Sequence, residues 1–157
     1  SMPETQLIDE LLQEAPARLQ EFYQSQLPAL KPVASFDELE AAIRVCRQCG
    51  ICDKATAPVM GEGPRDARLM LVGEQPGDEE DKRGQVFIGP AGKLLDQALL
   101  ASGIKRKEVF VTNAVKGFKW LPKEHRRWHR SANGSEISAC RPWLKSEIEL
   151  VKPDILV

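Results

Sequence analysis

The sequence predicts an α/β fold of three layers, α/β/α, around a central, mostly parallel sheet, with helices added at the N-terminus. Three observations predict it. Residues 67–74 (ARLMLVGE) and 108–115 (EVFVTNAV) are short apolar runs of the kind that form strands buried on both faces, and a third run, PDILV, occupies 153–157. Helical patterns fill both intervals between them. Strand, helix, strand, helix, strand is the order of a parallel sheet with right-handed crossovers.

Each element has its own signal. In residues 4–27 the side chains Leu7, Ile8, Leu11, Leu12, Leu19, Phe22 and Tyr23 follow a helical spacing that Pro16 interrupts, which predicts two short helices. PALKP at 28–32 reads as a linker, so residues 1–40 form a helical extension and linker, and 41–157 the α/β domain. Ser35 and Glu38 in SFDE have capping-box spacing and open a helix expected to run into Cys46. PAGKLLDQALLASG predicts an amphipathic helix closed by Gly103. A last helix is expected from Ser135, with Ile137, Trp143, Leu144, Ile148 and Val151 on its core side.

Charge excludes some partners and localises others. Lys and Arg number 22 against 23 Asp and Glu, a formal net charge of -1, so the molecule as a whole does not attract a polyanion. Residues 116–130 differ: they hold six Lys or Arg (116, 119, 123, 126, 127 and 130), both histidines and one acid, Glu124. KEHRRWHR within this segment reads as a cationic loop able to meet an anion locally, flanked by Trp120 and Trp128, which are placed to stack on bases. No stretch approaches the roughly 18 apolar residues of a membrane span, and the N-terminus lacks the basic and apolar regions of a secretion signal. A cytoplasmic monomer is expected. Of the four cysteines, Cys46, Cys49 and Cys52 crowd into CRQCGIC and Cys140 stands apart. In a reducing compartment that spacing points to a metal or cluster rather than to disulfides.

Sheets of this type bind ligands beyond the carboxyl ends of their strands, here after Val72 and Val111. The Gly- and Pro-rich loop 73–92 is longer than a turn requires, which marks it as functional. Glu74 and Gln75 sit at the first strand tip, and Phe87 offers a ring to stack on a flat base. Asn113, at the second tip, carries the paired donor and acceptor that match a base edge. The acidic run DEED, 78–81, is expected to be solvated rather than to bind a metal.

GEQPGDEED, GPAGKLLD, VTNAVK, RRWH and ACRPWL, in this order, resemble the uracil-DNA glycosylase superfamily, specifically its iron–sulfur members and among them the UdgX-type uracil-DNA-binding proteins. The resemblance covers residues 46–157. It implies uracil-containing DNA, single-stranded included, as the partner, with Glu74 and Gln75 in catalysis and Gln75, Phe87 and Asn113 gripping the extruded base. UdgX-type members carry a Lys-Arg-Arg-Ile-His loop whose His attacks the sugar C1′ after uracil departs and stays bonded to the DNA. The aligned residues are His125, Arg126, Arg127, Trp128 and His129, so the terminal His is kept while the first and fourth positions differ. The resemblance thus implies His129 as nucleophile, with Lys123, Arg126, Arg127 and Arg130 on DNA phosphates. Two rivals stand beside it: an ordinary glycosylase in which water replaces His129, and a non-catalytic DNA-binding module. It also implies a 4Fe–4S cluster. Cys46, Cys49 and Cys140 match three of its ligands, the fourth position is Gly117, and Cys52, at C-x₂-C-x₂-C spacing, is expected to replace it. A zinc site, or a Cys52 that is merely buried, is the alternative. A further His-containing motif of the superfamily is expected beyond the strand at Asp154.

Overall fold

A computed structural model describes residues 33–157 and, before them, only residues 10, 13, 14, 16–18 and 20. The two helices expected over 4–27 and the linker after them therefore fall largely outside the described residues.

Helix α1 (Phe36–Arg44) starts as the capping box predicts: Ser35 Oγ accepts from the Glu38 N–H at 3.2 Å, and the Glu38 carboxylate accepts from the Ala34 N–H at 3.2 Å. It stops short of Cys46, and it buries Phe36, Leu39, Ala42 and Ile43. Strands β1 (Leu69–Gly73), β2 (Phe110–Asn113) and β5 (Ile155–Leu156) form a parallel sheet in the order β2-β1-β5. The expected parallel pairing holds because each interval carries a helix long enough to cross over the sheet. Between β1 and β2 run α2 (Asp78–Arg83) and α3 (Pro90–Ala101), and α4 (Gly134–Val151) leads to β5.

Two cores flank the sheet, which makes the fold three-layered. On one face Met70 and Phe110 pack with Phe36 and Leu39 of α1 and with Cys140 and Trp143 of α4. On the other, Val111, Val59 and Val86 pack with Leu99 of α3. Trp143 is 1% exposed, the packing role its spacing predicts. Helix α3 ends on Ser102, with Gly103 following at φ 72°. Asn133, not Ser135, caps α4: its side chain accepts from the Glu136 N–H at 2.9 Å. No described helix is long and apolar enough to cross a membrane.

Two elements differ from expectation. The segment read as a cationic loop is a β-hairpin, β3 (Trp120–Lys123) paired antiparallel with β4 (Arg126–His129). Glu124 (φ 51°) and His125 (φ 60°) form its two-residue turn, both left-handed as in the type I′ turns that suit hairpin twist. The acidic run is helix α2, and two of its four acids, Glu80 and Asp81, are buried rather than solvated.

Candidate active site

Strands β1 and β2 end in register, Gly73 beside Asn113, so both tips open on one point. Glu80 draws the loop that leaves β1 back over them. Its carboxylate accepts from the backbone N–H groups of Gly77 (3.1 Å), Ile88 (2.9 Å) and Gly89 (2.5 Å). Phe87, at φ 49°, then brings its ring against Gly73, where an added Cβ would collide with both that ring and Asn113 Oδ1. Gly92, in the first turn of α3, leaves no room for a Cβ against the Phe87 backbone. The result is a cavity of about 300 Å³ walled by Gln75, Glu80, Phe87, Gly92, Asn113 and His129, among others, a volume suited to a small ring.

Gln75 and His129 meet across its mouth. The Gln75 amide nitrogen donates to the Arg130 carbonyl at 2.6 Å and lies 2.5 Å from His129 Nε2. A carbonyl only accepts, which assigns the amide nitrogen, so His129 Nε2 is the acceptor and the ring proton sits on Nδ1. Gln75 Oε1 faces the opposite situation: it is the buried side-chain oxygen or nitrogen left without a partner among the described residues. A bare acceptor of this kind costs about 1–3 kcal/mol until a donor reaches it.

Of the residues expected at the site, Gln75, Phe87, Asn113 and His129 come together on the cavity. Glu74 does not line it; its side chain accepts from the Ala132 N–H at 3.2 Å. The cationic segment divides in two. Lys116 is 3% exposed, and its ammonium binds Glu147, Thr112 Oγ1 and the Asn113 carbonyl. Lys119 pairs with Glu136 at 2.5 Å. Arg127 faces inward, donating to Asp78 Oδ1 (2.7 Å) and Asp81 Oδ2 (2.6 Å) with its guanidinium over Phe118, 5.1 Å from the ring centroid. Burial disfavours that charge, but the bonds to Asp81 and Asp78 outweigh it and raise the Arg127 pKa. Arg127, expected on a phosphate, is instead a pin between hairpin and α2, because two carboxylates already fill its donors. Lys123, Arg126 and Arg130 are the cations of this segment left facing solvent.

Glu80, Gly73 and Gly92 escaped the sequence reading. Glu80 had a signal: an acid three residues after Gly77 occupies the capping-box position.

The cysteines gather beside the sheet. Cys46, Cys49 and Cys52 follow α1, the last within a 3₁₀ turn at Ile51–Asp53, and Cys140 comes from α4. The Cys49 thiol bonds to Cys140 and Cys52 and receives the Ile51 and Cys52 N–H groups, which hold its pKa far below the usual thiol range. The same contact with Cys49, then burial, pushes Cys52 and Cys140 up. Among the described residues no group of three or more His, Cys, Asp or Glu is disposed to hold a metal ion as the side chains stand. By chemistry the set suits an iron–sulfur cluster: four cysteines from two segments, with backbone N–H groups on Cys49 and, from Lys116, on Cys140. Position 117 cannot join them freely, because a Cβ on Gly117 would stand 2.9 Å from Ile51 Cγ2.

At the tips of neighbouring parallel strands, an aromatic ring, an Asn amide and a Gln amide border one small cavity, an arrangement with the shape and polar groups to take a planar, hydrogen-bonding ring. Residues 60–157 match the family model of the uracil DNA glycosylase superfamily, and the chain belongs to that superfamily. It is 39% identical over 115 residues to a type-4 uracil-DNA glycosylase of Thermotoga maritima, covering 73% of this chain and 56% of that protein. A type-4 uracil-DNA glycosylase of Sulfurisphaera tokodaii is 38% identical over 124 residues, 78% of this chain and 53% of that one. A DNA polymerase of Bacillus phage SP01 is 34% identical over 101 residues, 64% of this chain and 10% of the polymerase. The chain spans about half the length of the glycosylases it matches.

Proposed function

We propose that this chain takes a uracil nucleotide extruded from DNA, cleaves its N-glycosidic bond and becomes bonded to the sugar through His129, as in UdgX-type proteins. The observation that carries the reading is the cavity beyond the β1 and β2 tips, where the Phe87 ring and the Asn113 amide share one small space with Gln75 and His129. With N1 bonded to the sugar, the one ring N–H left on uracil is N3–H, and the Asn113 side-chain oxygen is the acceptor assigned to it. Cytosine has a lone pair at N3 and would leave that oxygen facing another acceptor, a mismatch of the kind that discriminates strongly. The Asn113 amide nitrogen donates to the carbonyl beside N3, and Phe87 gives the stacking face.

The bond breaks with its electron pair leaving on uracil N1, which produces a uracil anion and an oxocarbenium-like C1′. Glu74, at the strand tip but outside the cavity lining, is assigned to that positive charge. Once it gives up the Gln75 N–H, the His129 Nε2 lone pair can attack C1′, and the imidazolium so formed then releases the Nδ1 proton. Lys123, Arg126 and Arg130 hold phosphates. Cys46, Cys49, Cys52 and Cys140 would hold a 4Fe–4S cluster, with Cys52 in place of a ligand at 117. When bound, the cluster would tie the segment after α1 to α4 and take no part in base excision.

A second reading, a glycosylase that turns over, is favoured by the type-4 relatives, whose names describe glycosylases. A denaturing gel with a uracil-containing single-stranded oligonucleotide separates the two. The first reading expects a protein–DNA adduct that His129→Ala abolishes, with free uracil still released. An abasic product without adduct from the unaltered chain sinks it. For the cluster, Cys52→Ser is expected to lower iron per chain and the visible charge-transfer absorbance by about a quarter or more, since one of four irons loses its ligand. Iron content unchanged by this substitution would remove Cys52 from the ligand set.

A further inference from the structure

The cavity uses one face of the β3–β4 hairpin and leaves the other unaccounted for. Side chains alternate across a strand, so Trp120, Pro122, Arg127 and His129 share one face, and Leu121, Lys123, Arg126 and Trp128 share the other. The first face is anchored. Trp120 Nε1 donates to the Lys54 carbonyl at 3.1 Å, Arg127 is held by Asp78 and Asp81, and His129 meets Gln75. On the second face Leu121 and Trp128 lie directly opposite each other and are 44% and 46% exposed. Lys123 Nζ sits 4.8 Å from the centre of the Trp128 ring, and Arg126 is exposed beside it.

We infer that this outer face binds single-stranded DNA, with Trp128 as the stacking platform for a base, Leu121 as its apolar neighbour, and Lys123 and Arg126 on the flanking phosphates. Charge favours that occupant. The apolar pair is bordered by Lys123, Arg126 and Arg130, with Glu124 the single acid of the hairpin, so the charge suits a polyanion. Trp128 adjoins His129 in the chain but projects from the opposite face of β4, so a DNA strand that meets both must pass round the edge of the hairpin. Lys123 covers the ring until a base displaces it, and its ammonium then moves to a phosphate. The inference rests on the proposed DNA site for its place in the reaction, but its binding test does not.

Fluorescence anisotropy of the full chain with a uracil-free thymidine oligonucleotide measures the face directly. Trp128→Ala is expected to weaken binding roughly 5- to 100-fold, the contribution of one base–aromatic stack, while Trp128→Phe keeps most of it. Lys123→Gln or Arg126→Gln is expected to reduce the salt slope of binding by about 1 each. Leu94→Ser, removing another exposed leucine (68% exposed) on α3, should change nothing. Wild-type affinity in Trp128→Ala overturns the inference. So does a Trp128→Ala effect on self-association in sedimentation with DNA binding intact, which would make a second copy the occupant. Should the wild-type chain neither excise nor trap uracil, the pocket reading falls, while Trp128-dependent binding of the thymidine strand still decides this one.

Discussion

Lys116→Met is expected to destabilise the domain by about 3–5 kcal/mol, because it leaves the Glu147 carboxylate buried without its cation. Both side chains are 3% exposed. Glu147 would keep only the Thr112 hydroxyl, which donates to it at 2.9 Å, and Thr112 and Asn113 would lose the ammonium that ties them to Lys116. Chemical denaturation should show a lower midpoint with little change in slope, the mark of altered stability rather than of an altered unfolded state. Glu147→Leu added to Lys116→Met should recover most of the loss, since a buried ion pair replaced by apolar side chains of similar volume is often neutral. A single variant within 1 kcal/mol of the parent would show that the pair holds nothing together. The network also has a functional position. Lys116 Nζ is 2.6 Å from the carbonyl of Asn113, so it supports from beneath the residue proposed to read the base.

What the sequence revealed depended on whether burial or pairing made each residue's role. The parallel strands, the α1 cap and the packing of Trp143 were legible because apolar spacing and capping chemistry are local signals. The strand-tip rule led to Gln75 and Asn113 for the same reason: register follows from the strands themselves. Charge was not legible in this way. Six basic residues in fifteen looked like one cationic surface, yet Lys116, Lys119 and Arg127 are held by Glu147, Glu136, Asp78 and Asp81. Three of those four acids lie far along the chain from their partners, and composition cannot say which charges will meet. Asp81 illustrates the cost: read as one of four solvated acids, it is 2% exposed and accepts from the Thr56 N–H, the Thr56 hydroxyl and Arg127. It thereby joins the cysteine segment, α2 and the hairpin. The hairpin itself was hidden because its turn is Glu-His rather than the Asn-Gly or Asp-Gly that announces left-handed backbone.

Gly73→Ala is expected to lower the single-turnover rate of uracil excision on the order of 10²-fold or more while costing only about 1–3 kcal/mol of stability. Gly73 is the last residue of β1 and sits beside Asn113 in the ladder. Its missing side chain is what lets the Phe87 ring and the Asn113 amide approach from two directions. A Cβ there would meet Asn113 Oδ1 and Phe87 Cζ closer than real contacts allow, and the next ring atom, Phe87 Cε2, at 3.0 Å. One of the two groups must move. Asn113 is 2% exposed and its backbone is fixed by β2 and Lys116, so the ring yields first. Phe87 stands on a strained, left-handed backbone next to the strand-tip cavity, and shifting it opens the stacking face rather than the core. Stability and chemistry therefore separate in this variant, whereas Lys116→Met damages both. Excision at the parental rate in Gly73→Ala, with a normal thermal midpoint, would mean that the substrate ring does not lie between Phe87 and Asn113, and the assignment of the cavity to uracil would fail with it.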